Sequence, residues 1–257
     1  MYCFKKNTFL QADCRIAMGT HHFVLLFLAI AIAGSILSRK IDPAGGLLGG
    51  VITYVLYAAV GWLGILLIGG FFVLGTAASV WKIRQKQNLG IAEEHNVRRG
   101  WRNVVGNAGV AVCIAISVLW YPEYTSLGRI LITACFAAAL SDTWSSEFGN
   151  VYGRRFYQVL TGEAGERGRN GVVSGEGSLA GLAGSILMAS LYGLTHGWGS
   201  AVVVISLAGL FGNFTDSLLG ASLEGAGRLN NHAVNFLSTV SAALFAFTLI
   251  FGEKLLQ

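Results

Sequence analysis

Apolar and polar positions alternate along this chain by whole segments, not by single residues. Apolar runs lie at about 22–38, 45–60, 62–80, 104–121, 127–141, 176–194, 198–219 and 232–252, and most ionisable residues fall between them. A helix that crosses the hydrocarbon core needs about 20 apolar residues, and several of these runs approach that length. The pattern predicts an all-α, polytopic transmembrane helical bundle of about eight spans, with seven to nine as the range. The weakest boundary separates the second and third runs, where only Gly61 and Trp62 intervene; one long bent helix is the alternative. Residues 1–21 read as an N-terminal extension that fits no span, with Met18 as a second candidate start. Residues 22–257 read as a single transmembrane domain carrying whatever chemistry the chain performs. No small-residue cleavage site follows the first run, which argues against a cleaved signal peptide.

Composition agrees with the segment pattern. The chain is 54% hydrophobic and only 12% charged, with a mean hydropathy of +0.60, whereas a soluble domain carries roughly 25% charge to cover its surface. Thirty-five glycines stand against two prolines, without a Gly-X-Y period. Within apolar runs such glycines let helix backbones approach closely where no hydrophobic effect draws helices together. Cys3, Cys14, Cys113 and Cys135 show no metal or redox spacing and read as small packing residues.

Charge orients the bundle. With eight spans and the loop 82–103 on the cytoplasmic side, that side holds Arg39, Lys40, Lys82, Arg84, Lys86, Arg98, Arg99, Arg102, Arg154, Arg155, Arg167, Arg169 and Arg228. Only Lys5, Lys6, Arg15, Arg129 and Lys254 remain for the other side, out of 18 basic residues in all. The positive-inside bias then places both termini outside. The net charge of +5 reads as binding to anionic headgroups or phosphates, and no nucleic-acid partner is implied.

The carboxylates converge on the same side. Asp142, Glu147, Glu163, Glu166, Glu176, Asp216 and Glu224 fall in or beside the segments 142–175 and 216–232. A carboxylate inside the membrane costs about 2.5–3.5 kcal/mol even on a lenient insertion scale. Asp142 and Asp216 at helix ends are therefore candidates for function, with capping and snorkelling as the plainer alternative.

Four constellations carry candidate chemistry. In the stretch 141–155, Asp142 shares a helical face with Ser145, Ser146 and Gly149, and Gly153, Arg154 and Arg155 follow. Hard oxygen ligands beside small residues suit Mg²⁺ carrying phosphate oxygens, with arginines as counter-charges. A helix end with stop-transfer arginines explains the same residues equally well. The stretch 168–181 brings Asn170, Ser174 and Glu176 on a glycine-rich loop that enters a span, an arrangement able to cradle an anion at a helix N-terminus. It lacks the lysine of a Walker P-loop. Asn213, Asp216, Gly220 and Glu224 form a polar stripe on one span, with Ser217 beside it, and such a stripe must face protein or water. Asn230, Asn231, His232, Asn235 and Ser238 make the fourth group, for which capping and helix pairing are the stronger explanation; His232 reads as a polar partner, not a zinc ligand. In the loop 82–103, Lys82 to Lys86 read as lipid contacts. Arg98, Arg99 and Arg102, with Asn103 and Asn107, are better placed to meet a phosphate.

Taken together, these segments resemble the integral-membrane family that contains plant phytyl-phosphate kinase, animal transmembrane protein nineteen and many uncharacterised prokaryotic proteins. The resemblance runs from about Pro43 to Phe251. It is carried by Ser141-Asp142-Thr143 through Glu147-Phe148-Gly149, and by Asn170-Gly171 through Gly177-Ser178-Leu179-Ala180-Gly181. Asp216-Ser217-Leu218-Leu219-Gly220-Ala221 and Val234-Asn235-Phe236-Leu237-Ser238-Thr239 complete it. More distantly, Asp142 with Gly149, Gly153 and Arg154, then Glu176-Gly177, is similar to the pattern of CTP-dependent polyprenol kinases and CDP-diacylglycerol synthases.

The resemblance implies an isoprenoid-monophosphate kinase that uses CTP or another nucleotide with Mg²⁺. Asp142 and Asp216 would hold the metal, with Glu147 or Glu176 assisting. Arg98, Arg102 and Arg154 would neutralise phosphate charge, and Asn213 and Asn235 would orient ligands. Asn107, Gly149, Gly153, Asn170, Ser174 and Ser217 complete the expected phosphate-binding set. The expected setting is a multi-pass prokaryotic inner-membrane protein with its site facing the cytoplasm. A CDP-lipid-forming cytidylyltransferase and a membrane transporter are the alternatives.

Overall fold

The computed structural model describes residues 8–90 and 99–255. Expectations that fall on residues 1–7, or on Glu93, Glu94, His95, Asn96 and Arg98, lie outside the described residues. Nine α-helices are present among those described: α1 (Thr8–Leu37), α2 (Pro43–Val60), α3 (Trp62–Val80), α4 (Ile83–Asn88), α5 (Trp101–Trp120), α6 (Thr125–Tyr152), α7 (Gly175–His196), α8 (Ser200–Leu219) and α9 (Asn231–Leu255). Seven are long and apolar enough to cross a membrane, and the apolar part of α1, His21–Leu37, is shorter. The chain is a polytopic helical bundle.

The second and third runs are two helices, not one bent helix. Gly61 adopts φ 71°, ψ −150°, a region open to glycine and strained for other residues, and this reverses the chain in one residue. Gly64 then lies against the Leu56 backbone, so closely that a Cβ would sit 2.6 Å from its carbonyl carbon. The far ends of both helices meet at Arg99. Its backbone bridges to Ile41 just before α2, and its guanidinium carbon lies 4.9 Å from the centre of the Phe71 ring on α3. Asp42 caps α2 through the Gly45 N–H, ahead of Pro43 at the first helical position.

Helix α6 is the central element: 67% of its apolar window is buried, against 33–39% for the other spans. Small residues explain how α7 and α8 reach it. A Cβ on Gly184 would lie 3.2 Å from the Leu140 carbonyl oxygen, and one on Gly177 2.7 Å from that of Ser145. On α8, Gly209 and Gly212 meet Ala137 and Ala138, where a Cβ would fall 2.7 and 2.5 Å from the alanine methyls. Backbone contact of this kind supplies the dispersion energy that holds helices together in lipid.

Two features depart from the sequence expectation. The segment between α6 and α7, read as a loop, forms an antiparallel hairpin of β1 (Phe156–Gln158) and β2 (Val172–Ser174), with Phe156 opposite Ser174. Lys86, read as a lipid contact, is 2% exposed. The short α4 turns its amine back to the end of α3, where it donates to the carbonyls of Ala78 (3.1 Å) and Ser79 (2.9 Å) and to Glu147 Oε2 (2.6 Å). A cation at a helix C-terminus meets otherwise unsatisfied carbonyls, which is why this lysine is inside.

Removing Glu147 strands the Lys86 charge. Glu147→Ala is expected to destabilise the protein by about 2–3 kcal/mol, and the double variant Lys86→Met/Glu147→Leu to regain most of that loss. Thermal unfolding of the purified wild type, both single variants and the double variant measures the coupling.

Candidate active site

The site is built at the shared end of α6, α7, α8 and α9. Helix α6 continues well past the apolar run to Tyr152, so Asp142, Ser145, Ser146 and Gly149 all lie on helix and all line one cavity of about 170 Å³. Its opposite wall comes from α8 and the turn beyond it: Asn213, Asp216, Ser217, Gly220 and Glu224. The residues from Gly220 to Glu224 form a π-helical turn, a local widening frequent at functional sites. The roof is the segment 168–174, where Gly171 at φ +71° packs directly on Ala221 and allows the loop to close down on α8.

Close approach fixes the walls. A Cβ on Gly149 would lie 3.1 Å from the Gly177 Cα, so α6 and the first turn of α7 touch. Ser174 caps α7 by accepting from the Gly177 N–H at 3.1 Å. A Cβ on Gly181 would lie 2.6 Å from Asn213 Nδ2 and 3.0 Å from Ser141 Oγ, and that buried hydroxyl has no hydrogen-bond partner among the described residues.

Two carboxylates face each other across this chamber. Asp142 and Asp216 lie close enough for each carboxylate to act on the other, and the Ser238 hydroxyl, which donates to the Asn235 carbonyl at 2.9 Å, stands beside Asp216. With its amide oriented to satisfy both ends, Asn235 donates to Asp216 Oδ2 and to the Asn231 carbonyl, each at 3.2 Å. Glu224 and Asn170 line the same cavity beside Gly220. Two acceptor-only groups in contact need a cation or a proton between them.

Seven of the residues expected at the site line the cavity: Asp142, Gly149, Asn170, Ser174, Asn213, Asp216 and Ser217. Asn235 adjoins it through Asp216. Arg98 lies outside the described residues, and the rest lie elsewhere. Glu147 is five residues from Asp142, a rotation of about 140° around the helix, and it is held by Lys86. Glu176 accepts from the Arg154 N–H at 3.4 Å, outside the lining. Gly153 ends α6, and its carbonyl accepts from Arg167 at 2.8 Å. Arg102 is exposed and lies over the Trp101 ring at 5.5 Å, while Asn107 donates to Asn103 and lines a different crevice. His232 Nδ1 is buried and, among the described residues, lacks the polar partner expected for it.

The cavity also brings in residues that the sequence reading did not single out as ligands. Arg169 is the arginine that lines it, in place of Arg154. Asn150 and Asn231 line it as well, and Phe156 closes one side through the β-hairpin. Asn150 was visible in principle as the next polar residue on the α6 face. Arg169 depends on how the hairpin folds back, which no local pattern reports.

The model of the family of integral membrane proteins designated DUF92 matches residues 25–243. The chain belongs to this family of integral membrane proteins. An uncharacterized membrane protein of Synechocystis sp. is 32% identical over 220 residues, covering 84% of this chain and 85% of that protein. Protein VTE6, chloroplastic, of Arabidopsis thaliana is 35% identical over 212 residues, 79% of this chain; the match spans 62% of the longer plant protein. An uncharacterized membrane protein of Methanocaldococcus jannaschii is 30% identical over 203 residues, covering 79% of this chain and 83% of that protein. No solved structure matches. Members thus come from a chloroplast, a cyanobacterium and an archaeon, so membership of the DUF92 family fixes a multi-pass membrane protein and does not support the expected prokaryotic inner membrane.

Among the described residues of this DUF92 member, no three His, Cys, Asp or Glu side chains converge as a metal cage. Two carboxylates with open space before them suit Mg²⁺, which takes one or two protein carboxylates and fills its octahedron with water and phosphate oxygens. The donor set therefore fits that ion.

Replacing one of the facing carboxylates removes a repulsion. In chelator, Asp142→Asn and Asp216→Asn are each expected to unfold at the wild-type temperature or slightly above it, because amide–carboxylate contact replaces carboxylate–carboxylate contact. Thermal unfolding in EDTA checks this, and a large fall would assign these groups a structural role.

Proposed function

We propose that the chain is a membrane kinase for isoprenoid monophosphates, transferring the γ-phosphate of CTP or another nucleoside triphosphate to form a diphosphate. The observation that carries this reading is the facing pair Asp142 and Asp216 in a polar cavity continuous with an apolar groove. The groove has a volume of about 520 Å³ and shares Ser145, Val173, Asn213 and Ser217 with the cavity. Its remaining wall includes Leu207, Leu210, Phe211, Phe214 and Phe245. A charged head and an apolar tail are the two halves of one substrate that such a junction fits. The resemblance to phytyl-phosphate kinase and the identity with the chloroplast protein VTE6 support the same reading.

In this mechanism the isoprenyl chain lies in the groove and its phosphate stands in the cavity. Mg²⁺, when bound by Asp142 and Asp216, supplies charge neutralisation for the phosphates. Arg169 lines the same space, its guanidinium held by Glu166 at 2.7 Å in an exposed pair; such a pair is weak enough to give way to a phosphate, and the Asn170 amide and Ser217 hydroxyl offer donors. Asn235 holds the Asp216 carboxylate in place, and Ser238 anchors Asn235 through its carbonyl. An oxygen of the isoprenyl phosphate attacks the γ-phosphorus, a new P–O bond forms, the bond from γ-phosphorus to the bridging oxygen breaks, and CDP leaves. The attacking phosphate is already anionic, so no general base is required. Catalysis of this type rests on positioning and electrostatics. The excess of basic residues at this end of the bundle makes it the cytoplasmic or equivalent face.

The test is an assay of purified protein with Mg²⁺, labelled CTP and a series of isoprenyl monophosphates. The expected products are isoprenyl diphosphate and CDP; a CDP-lipid with pyrophosphate would assign a cytidylyltransferase instead, and inactivity with every nucleotide would overturn the proposal. Asp142→Asn and Asp216→Asn are each expected to lower kcat by about 10²–10³-fold, the scale for losing one preorganised charge-stabilising group. Leu210→Trp, which narrows the groove, is expected to raise KM for a twenty-carbon substrate by about tenfold or more while sparing a ten-carbon one.

A further inference from the structure

A second crevice lies on the other side of the bundle, between the peripheral helix α1 and helices α2, α3 and α5. Its volume is about 430 Å³, within the roughly 300–1,000 Å³ usual for small-ligand sites. It shares no lining residue with the carboxylate cavity, whereas the groove described above shares four. The crevice is thus separate from the path that the proposed substrate would take. Its walls are apolar, with Phe27, Leu28 and Ile32 from α1 facing Ile68 and Phe72 from α3.

The space exists because glycines line it. A Cβ added to Gly34, Gly49 or Gly69 would meet nothing within 4 Å. This differs from Gly177, Gly181, Gly184, Gly209 and Gly212, where the place of the missing Cβ is filled by α6. On α2 itself, Gly46 and Gly50 are filled by Ile36 and Ile32 of α1, so the opening beside Gly49 is local.

One end of this apolar space carries a cation. Arg99 lines it, and no ion pair reaches its guanidinium among the described residues. Glu147 acts on it electrostatically, but that carboxylate is engaged by Lys86 at 2.6 Å. Asp42, also close by, uses Oδ1 to cap α2. Burial lowers the Arg99 pKa to about 10, with Glu147 opposing, so the side chain is still charged at neutral pH. Asn103 and Asn107 line the same crevice. Asn107 Nδ2 donates to Asn103 Oδ1 at 2.9 Å, which leaves the Asn103 NH₂ as a donor. The Arg99 N–H donates to the Lys40 carbonyl at 3.0 Å, so Arg39 and Lys40 stand at the same mouth.

We propose that this crevice is a binding site for one chain of an anionic membrane phospholipid, with its phosphate held by Arg99 and the Asn103 amide. The charge pattern favours this occupant: a buried guanidinium and two neighbouring basic residues meet an apolar slot at the bundle's polar end. An anionic headgroup is attracted to such a cluster and a zwitterionic one far less. The slot adjoins α1, the outermost helix, so a lipid enters it sideways from the bilayer. The site stands whether or not the chain has the proposed kinase activity.

The test uses the full chain in detergent with phosphatidylglycerol carrying a photoreactive group in one acyl chain, and maps the labelled residues. Labelling is expected on α1, α2 and α3 around Gly49 and Gly69, with phosphatidylcholine a poor competitor. Gly49→Leu and Gly69→Leu each extend into the slot from positions where an added Cβ meets nothing within 4 Å. Each is expected to cut labelling by about tenfold or more, the effect of a few misplaced methylenes, without lowering the unfolding temperature. Arg99→Gln is expected to abolish the preference for phosphatidylglycerol, and Arg99→Lys to keep most of it. Equal labelling by phosphatidylcholine, or labelling unchanged in both glycine variants, would overturn the assignment. Displacement of the phospholipid by an isoprenyl monophosphate at equal concentration would overturn it too, because the crevice would then belong to the substrate.

Discussion

Backbone contact around α6 is the constraint on which the rest of the molecule depends. Lipid offers no hydrophobic drive for helices to associate, so they associate where their surfaces fit at van der Waals distance. Glycines on α7 and α8 provide that fit, at Gly177, Gly181 and Gly184 on one side and Gly209 and Gly212 on the other. Each of these positions meets a backbone or methyl group of α6, so a larger residue would push the neighbouring helix outward. The same contacts that hold the bundle together therefore set the width of the cavity at its end.

That cavity is the consequence of two helices being drawn close at a point where each carries an aspartate. Separated, Asp142 and Asp216 would each need a local donor; brought together, they need a shared positive charge. The Asn235 amide donates to Asp216 and fixes its orientation without neutralising it. The π-helical turn after α8 and the hairpin after α6 supply the remaining walls, and both sit where regular helix would have closed the space. The polar chamber and the apolar groove meet at Ser145, Val173, Asn213 and Ser217.

The other half of the bundle follows a different logic. Around α2 and α3 several glycines have no neighbour filling their missing side chain, and the result is a slot where α6 has none. Lys86 and Arg99 divide the work of charge at this end: one caps α3 and pairs with Glu147, the other stands over Phe71 with no ion pair among the described residues. Two basic residues from one loop thus take opposite roles according to whether a carboxylate lies within reach.

The sequence alone determined the membrane class, the positions of the spans and the side on which the carboxylates gather, because burial in lipid imposes apolar runs and excludes charge along the chain itself. It also determined the α6 face of the site, since Asp142, Ser145, Ser146 and Gly149 follow helical spacing within one element. The reversal at Gly61 was marked but not decided, because a glycine permits a turn without demanding it. What tertiary structure alone decided is which polar groups meet across elements. Glu147 went to Lys86 because it lies around the helix from Asp142; Arg169 took the place expected for Arg154 because the hairpin folds the chain back over α8. Asn107 was drawn to the second crevice by the packing of α5 against α2. Spacing along one helix fixes a face, but the partner of that face is set by which helices can approach, and that depends on contacts among residues far apart in the chain.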